Sequence, residues 1–252
     1  MIVSHKYKYI LVKPGKVAGT AIEISLQKSC GDLDIITPIS IFDPSCDQDS
    51  YKYYPQNNLG FCEHMALGEI KKKHTDIFDD YLKISIIRNP WDMIVSRWHW
   101  ETWMYSNFGK PNLKSYINMF KKLHRNQTYT IEQLNRKLNI NLTRSKISDD
   151  IKRNNFKGFV TNFPAVWTND QYYFLYDEMV LDFVIRYETL QNDYEKLCSN
   201  IGIQSDNLLN VKSKLRPPNS HYSNYYDSES KTVVEEKFKK QIEVFGYKFD
   251  SE

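Results

Sequence analysis

The residues best suited to chemistry near the start of this 252-residue chain lie in Lys13-Pro14-Gly15-Lys16-Val17-Ala18-Gly19-Thr20, a turn with two glycines, two lysines and a hydroxyl. Before it, Tyr7 to Val12 is rich in β-branched and aromatic residues and reads as a buried strand. After it, Ala18, Ala21, Ile22, Ser25 and Leu26 recur at helical spacing. A strand, a Gly-containing loop and a helix N-terminus together make an anion site, because free N–H groups and the macrodipole's roughly half positive charge point out of the helix start. Lys16 adds a full charge and Thr20 a hydroxyl donor, so the stretch has the makings of a phosphate cradle. It is not a Walker A loop, whose lysine follows the second glycine; here Lys16 precedes Gly19 by three positions. The plain alternative is a strand–helix turn with an exposed lysine.

A second stretch strengthens the first. Leu82 to Arg88 is another apolar strand, followed at once by Asn89-Pro90-Trp91-Asp92. Asn is a good N-cap, Pro suits the first helical position, and Asp92 in the first turn suits the dipole. Arg88 therefore stands at the carboxyl end of a strand, where open α/β sheets bind their ligands. Ser96, two turns into the helix, falls where its face continues the crevice.

Lys16-x-x-Gly19-Thr20 after the first strand, with Arg88-Asn89-Pro90-Trp91-Asp92 and Ser96 later, resembles the sulfotransferases that use 3'-phosphoadenosine 5'-phosphosulfate (PAPS), and is most similar to the carbohydrate-type, family-2-like group. The resemblance extends to Asp182–Glu188 and to Tyr225-Tyr226-Asp227 and Phe245-Gly246-Tyr247, and is weak between about Trp103 and Trp167. It implies a single P-loop-like three-layer α/β domain over 1–252, with a central parallel sheet flanked by helices and a helical, basic, acceptor-side insert at about 105–165.

The same resemblance implies the site. Lys16, with the Thr20 hydroxyl and the N–H groups of Val17, Ala18, Gly19, Thr20 and Ala21, holds the 5'-phosphosulfate, and Lys16 stabilises the leaving phosphate. Arg88 and Ser96 hold the 3'-phosphate; their plain alternatives are a salt bridge and a helix-packing hydroxyl. Relatives carry a similar histidine at the start of a helix where His64 stands, which makes His64 the candidate general base and Glu63 the runner-up. General-base help is typically worth about 10²–10⁴ in rate. The loop from Lys212 to Tyr222 corresponds to the segment that closes over the nucleotide, with Arg216, Ser220 and Tyr222 as contacts. No metal is demanded, and the product nucleotide is PAP. Gly15 replaces the proline usual before the motif lysine, Ala21 replaces the serine after Gly-Thr, and Met93 stands where an arginine is frequent. The rival functions are a non-catalytic nucleotide-binding protein and a P-loop-type nucleotide kinase, for which no Walker lysine or suitably placed Mg²⁺-binding acid is found.

The remaining chain must position these groups. Apolar content of 41% and charged content of 26% are ordinary for a globular protein, and 252 residues suffice for a sizeable core. Asp34 to Ile41 reads as an extended run, Phe42 to Gly60 as loop, and Glu63 to Lys73 as a helix. Further helices are expected at Asn112–Lys122, Thr130–Leu138, Glu188–Ile201 and, last, Ser228–Phe245. Between Lys110 and Lys157 twelve basic residues face three acidic ones, while the whole chain is only +3. That asymmetry suits an anionic partner such as an acidic glycan; a solvated helical surface is the alternative. Nothing points to nucleic acid. No apolar run approaches the roughly 18 residues of a membrane span, and four scattered cysteines fit a reduced, cytoplasmic protein.

Overall fold

Five strands form one mixed sheet in the computed structural model, which describes residues 1–39, 53–108, 144–209, 215–217 and 220–250. They are β1 (Ile2–Ser4), β2 (Tyr9–Val12), β3 (Ile35–Ile36), β4 (Leu82–Ile87) and β7 (Phe183–Arg186), while β5 (Phe174–Leu175) and β6 (Glu178–Met179) make a separate hairpin. The helices are α1 (Gly19–Leu26), α2 (Leu67–Lys73), α3 (Thr75–Asp80), α4 (Pro90–Phe108), α5 (Phe156–Thr161), α6 (Leu190–Ile201), α7 (Ser228–Lys237) and α8 (Lys239–Phe245). Residues 144–152 are helical as well. The chain groups into two compact units, Met1–Asn89 with Asn169–Lys214, and Pro90–Thr168 with Leu215–Glu252.

The first unit holds the sheet, in the order β3-β1-β2-β4-β7. β2, β4 and β7 run parallel, with Val12 opposite Ser85 and Ile87 opposite Arg186. β1 is antiparallel to both β2 and β3, so the expected all-parallel sheet is instead mixed. The cause is a hairpin the sequence hides. Its turn, His5 to Lys8, contains no Gly, Pro or Asn, and Lys8 takes a left-handed conformation at φ 51°. A distant carboxylate closes it: Asp34 accepts from the N–H groups of His5 (2.7 Å), Lys6 (3.1 Å) and Gly31 (2.9 Å) and from Ser4 Oγ (2.9 Å). These bonds outweigh burial and hold the Asp34 carboxyl below the usual carboxylate range.

Apolar side chains of β2, β4 and β7 pack with Val17, Ile22 and Leu26 around α1 and with Tyr194 and Leu197 of α6. α6 ends at Gly202, whose φ of 73° is the left-handed turn that glycine makes at least cost. α2 begins at Leu67, four residues later than expected from Glu63. Glu69 accepts from the Ala66 N–H at 3.0 Å and so fixes that start, leaving Glu63 and His64 in the turn before it.

In the second unit, α4 buries Trp91, Ile94, Val95 and Trp98 against Phe159, Phe163, Val234 and Phe238. The last helix, expected to run unbroken from Ser228 to Phe245, is interrupted at Phe238. No Gly or Pro causes the break; Phe238 is 1% exposed and turns its ring to Phe163 at 5.9 Å. Asp227 caps α7 by accepting from the Ser230 N–H at 2.7 Å. The helices expected at Asn112–Lys122 and Thr130–Leu138, and the loop over 42–52, lie outside the described residues. Among those described, no helix is long and apolar enough to cross a membrane.

Candidate functional site

Three parallel strands in register deliver three loops to one edge of the first unit's sheet. Val12 leads into the Lys13–Ala18 loop, Ile87 into Arg88 and Asn89, and Arg186 into Tyr187 and Glu188. Arg88 donates from Nη1 to the Lys16 carbonyl at 3.0 Å, and its guanidinium lies 3.7 Å from the Tyr187 ring centroid. A stacked guanidinium keeps its charge while losing little freedom. The Asn89 N–H donates to Glu188 Oε1 at 2.6 Å, which ties the third loop to the second. The structure therefore brings Lys16 and Arg88 together across 72 positions of sequence.

The first loop has an unusual backbone. Lys16 (φ 65°) and Ala18 (φ 64°) are both left-handed, on either side of the buried Val17. Such residues cost of order 1–3 kcal/mol each, persist where surroundings enforce them, and shape backbone N–H groups into anion-binding concavities. One enforcing group is Asn169, which is 3% exposed. Its side-chain amide accepts from the Gly15 N–H at 3.1 Å and donates to the Gly15 carbonyl at 3.0 Å. Gly19 and Thr20 then open α1, and Ala21 donates its N–H to the Ala18 carbonyl at 3.0 Å. A Cβ on Gly19 would meet Lys13 Cγ at 2.8 Å, so glycine is required where the lysine stem crosses the helix start.

Beneath the loop lies a buried ionic cluster. Lys13, 4% exposed, places Nζ 2.5 Å from Glu23 Oε2 and 2.7 Å from Glu63 Oε1, and the Met1 ammonium pairs with Glu23 Oε1. Glu23 is fully buried and is balanced by charge, its oxygens lying in ion-pair rather than hydrogen-bond geometry. Removing one partner of such a cluster typically costs about 3–5 kcal/mol.

His64 stands on this cluster. Its backbone is left-handed at φ 60°, and its carbonyl accepts from the Tyr172 hydroxyl at 3.2 Å. Nδ1 lies 2.6 Å from the Lys13 carbonyl. A carbonyl only accepts, so Nδ1 carries the proton and Nε2 holds the lone pair. Nε2 is 3.8 Å from Glu63 Oε1. Although 38% of the side chain is exposed, burial by the surrounding atoms pushes the imidazole down to about 4, with Glu63 pulling it up and Lys13 pushing it further down. The imidazole is therefore neutral near pH 7.

The other expected contacts belong to the second unit. Ser96 is half-buried on α4. Arg216 pairs with Asp92 and donates to the Ser220 carbonyl. Ser220 Oγ donates to the Tyr225 hydroxyl at 3.0 Å, which also contacts His99 Nε2 at 2.8 Å. Tyr222 is 6% exposed, and its hydroxyl accepts from the Asp250 N–H at 2.7 Å.

Several groups that build the site carry no sequence motif. Asn169 is an isolated polar residue far from the loop it holds, and Glu23 reads as an ordinary helix position. Lys13 was visible only as one of two loop lysines, and Tyr187 only as part of the stretch from Asp182 to Glu188. Among the described residues, no group of three or more His, Cys, Asp or Glu is placed to hold a metal ion. Comparison with family models, with curated proteins and with solved structures returns no match for this chain.

Proposed function

We propose that the chain is a PAPS-dependent sulfotransferase on a P-loop-like α/β fold, which transfers a sulfuryl group to a hydroxyl of a carbohydrate or related acceptor. The observation that carries this proposal is the contact of Arg88 with the Lys16 loop at the carboxyl edge of parallel strands. PAP is doubly phosphorylated at separate positions, and this edge offers a lysine-bearing loop at a helix N-terminus beside an arginine on the neighbouring strand. That pairing suits two phosphates better than one. Lys16 and the N–H groups of Val17 to Thr20 would meet the phosphosulfate, and Arg88 the 3'-phosphate.

Sulfuryl transfer is an in-line displacement in which the protein chiefly positions the reactants and stabilises charge on the leaving phosphate, by analogy with phosphoryl transfer. Lys16 supplies that charge. His64 Nε2, bearing a lone pair, takes the acceptor's proton. The excess of basic residues between Lys110 and Lys157 supports an anionic glycan as the acceptor class, and the proposed location is the cytoplasm.

The test is transfer of labelled sulfuryl from PAPS to a panel of neutral and acidic glycans, with Lys16→Ala alongside. Turnover in the wild type and a loss of at least a hundredfold in Lys16→Ala are expected. Nucleotide binding without any transfer would favour the non-catalytic binder, and phosphoryl transfer from ATP would favour the kinase.

A further inference from the structure

We propose that Lys13 and Glu63 are positioning residues for His64: the Lys13 carbonyl fixes its tautomer, and the Lys13 ammonium pins Glu63 where its carboxylate accompanies the imidazolium. This rests on the sulfotransferase function proposed above and assigns the division of labour between His64 and Glu63. Glu63 is not the proton acceptor, because Lys13 Nζ at 2.7 Å holds the same oxygen, Oε1, that faces the imidazole.

The geometry is fixed from four sides. The Lys13 carbonyl holds Nδ1 at 2.6 Å, and the Tyr172 hydroxyl holds the His64 carbonyl at 3.2 Å. The His64 backbone is left-handed, a conformation that a β-substituted residue adopts only when its surroundings enforce it. Glu63 stands 3.8 Å from Nε2. The titratable groups around the ring are Glu63, Lys13 and the Met1 amino group, which burial pushes toward its neutral form, with Glu23 beyond Lys13 and the Tyr172 ring alongside.

In the reaction, the acceptor O–H bond breaks and its proton goes to Nε2. The acceptor oxygen bonds to sulfur, and the sulfur–oxygen bond to PAP breaks with its electron pair leaving on the phosphate. The ring becomes an imidazolium where burial opposes charge, and the Glu63 carboxylate and the Lys13 carbonyl favour it. Lys13 also reaches the phosphate loop through its own backbone, so one residue sets both the base and the loop.

Nitrogen-detected NMR of His64 tests this without donor or acceptor. The wild type is expected to show a neutral ring with its proton on Nδ1. Glu63→Gln is expected to keep that tautomer and to move the protonation midpoint to lower pH, by enough to change the protonated fraction several-fold at pH 4. In the transfer assay the same variant is expected to lose tenfold or more in kcat with KM for PAPS unchanged. A proton on Nε2, or a midpoint that Glu63→Gln leaves in place, overturns the proposal. An inactive wild type instead overturns the sulfotransferase function, so the two failures are distinguishable. The wild-type tautomer is informative even if the variant folds poorly.

Discussion

At the scale of single residues, His64 combines a left-handed backbone with an imidazole held neutral. The folded value of about 4 lies below the ordinary 6.5. Between these two values the unfolded chain binds a proton that the folded chain does not. Stability is therefore present above pH 6.5 and falls as the pH drops toward 4. His64→Asn removes the titrating ring while suiting the left-handed backbone, which asparagine tolerates. The unfolding midpoint in denaturant is expected to fall less between pH 7 and pH 4.5 in His64→Asn than in the wild type. An equal fall in both would show that the ring is not held neutral. The charges of Glu63 and Lys13 act on the same ring in opposite directions.

At the scale of elements, the loop between β2 and α1 is shaped by a residue from elsewhere. Asn169→Gly keeps the left-handed backbone available and removes only the amide that meets Gly15. It is expected to cost about 1–3 kcal/mol in denaturant unfolding, the usual range for leaving buried polar groups unsatisfied. It should also weaken PAP binding. Unchanged stability and binding would mean that the loop holds its shape alone. The parallel strands β2 and β4 and the helices α1, α4 and α6 were legible because their apolar periods and the Pro90 boundary are local signals. The hairpin of β1 was not, because its turn is closed by Asp34 from thirty positions away. The break at Phe238 was not, because packing rather than a helix breaker produces it. Likewise Lys16 and Arg88 announced themselves through strand–loop–helix punctuation, whereas Asn169 and Glu23 act through tertiary contacts that leave no trace in spacing.

At the scale of the whole molecule, the charge asymmetry is partly consumed internally. Arg144 pairs with the buried Glu101 at 2.8 Å, and Lys157 pairs with Asp227 and Glu229. These two of the twelve basic residues serve the second unit's own helices, and the surplus available to an anionic partner is correspondingly smaller than the sequence count. The first unit carries the proposed site, in which the Lys16 loop and Arg88 would hold a nucleotide phosphorylated at two positions. The most direct measurement is calorimetric titration with PAP, beside ADP and ATP, on the wild type and on Arg88→Ala. PAP binding that neither ADP nor ATP matches, weakened about 10- to 100-fold in a folded Arg88→Ala, is expected from the loss of one charge-assisted contact. No PAP binding, or ADP binding equally well, would rule out a 3'-phosphate site at Arg88.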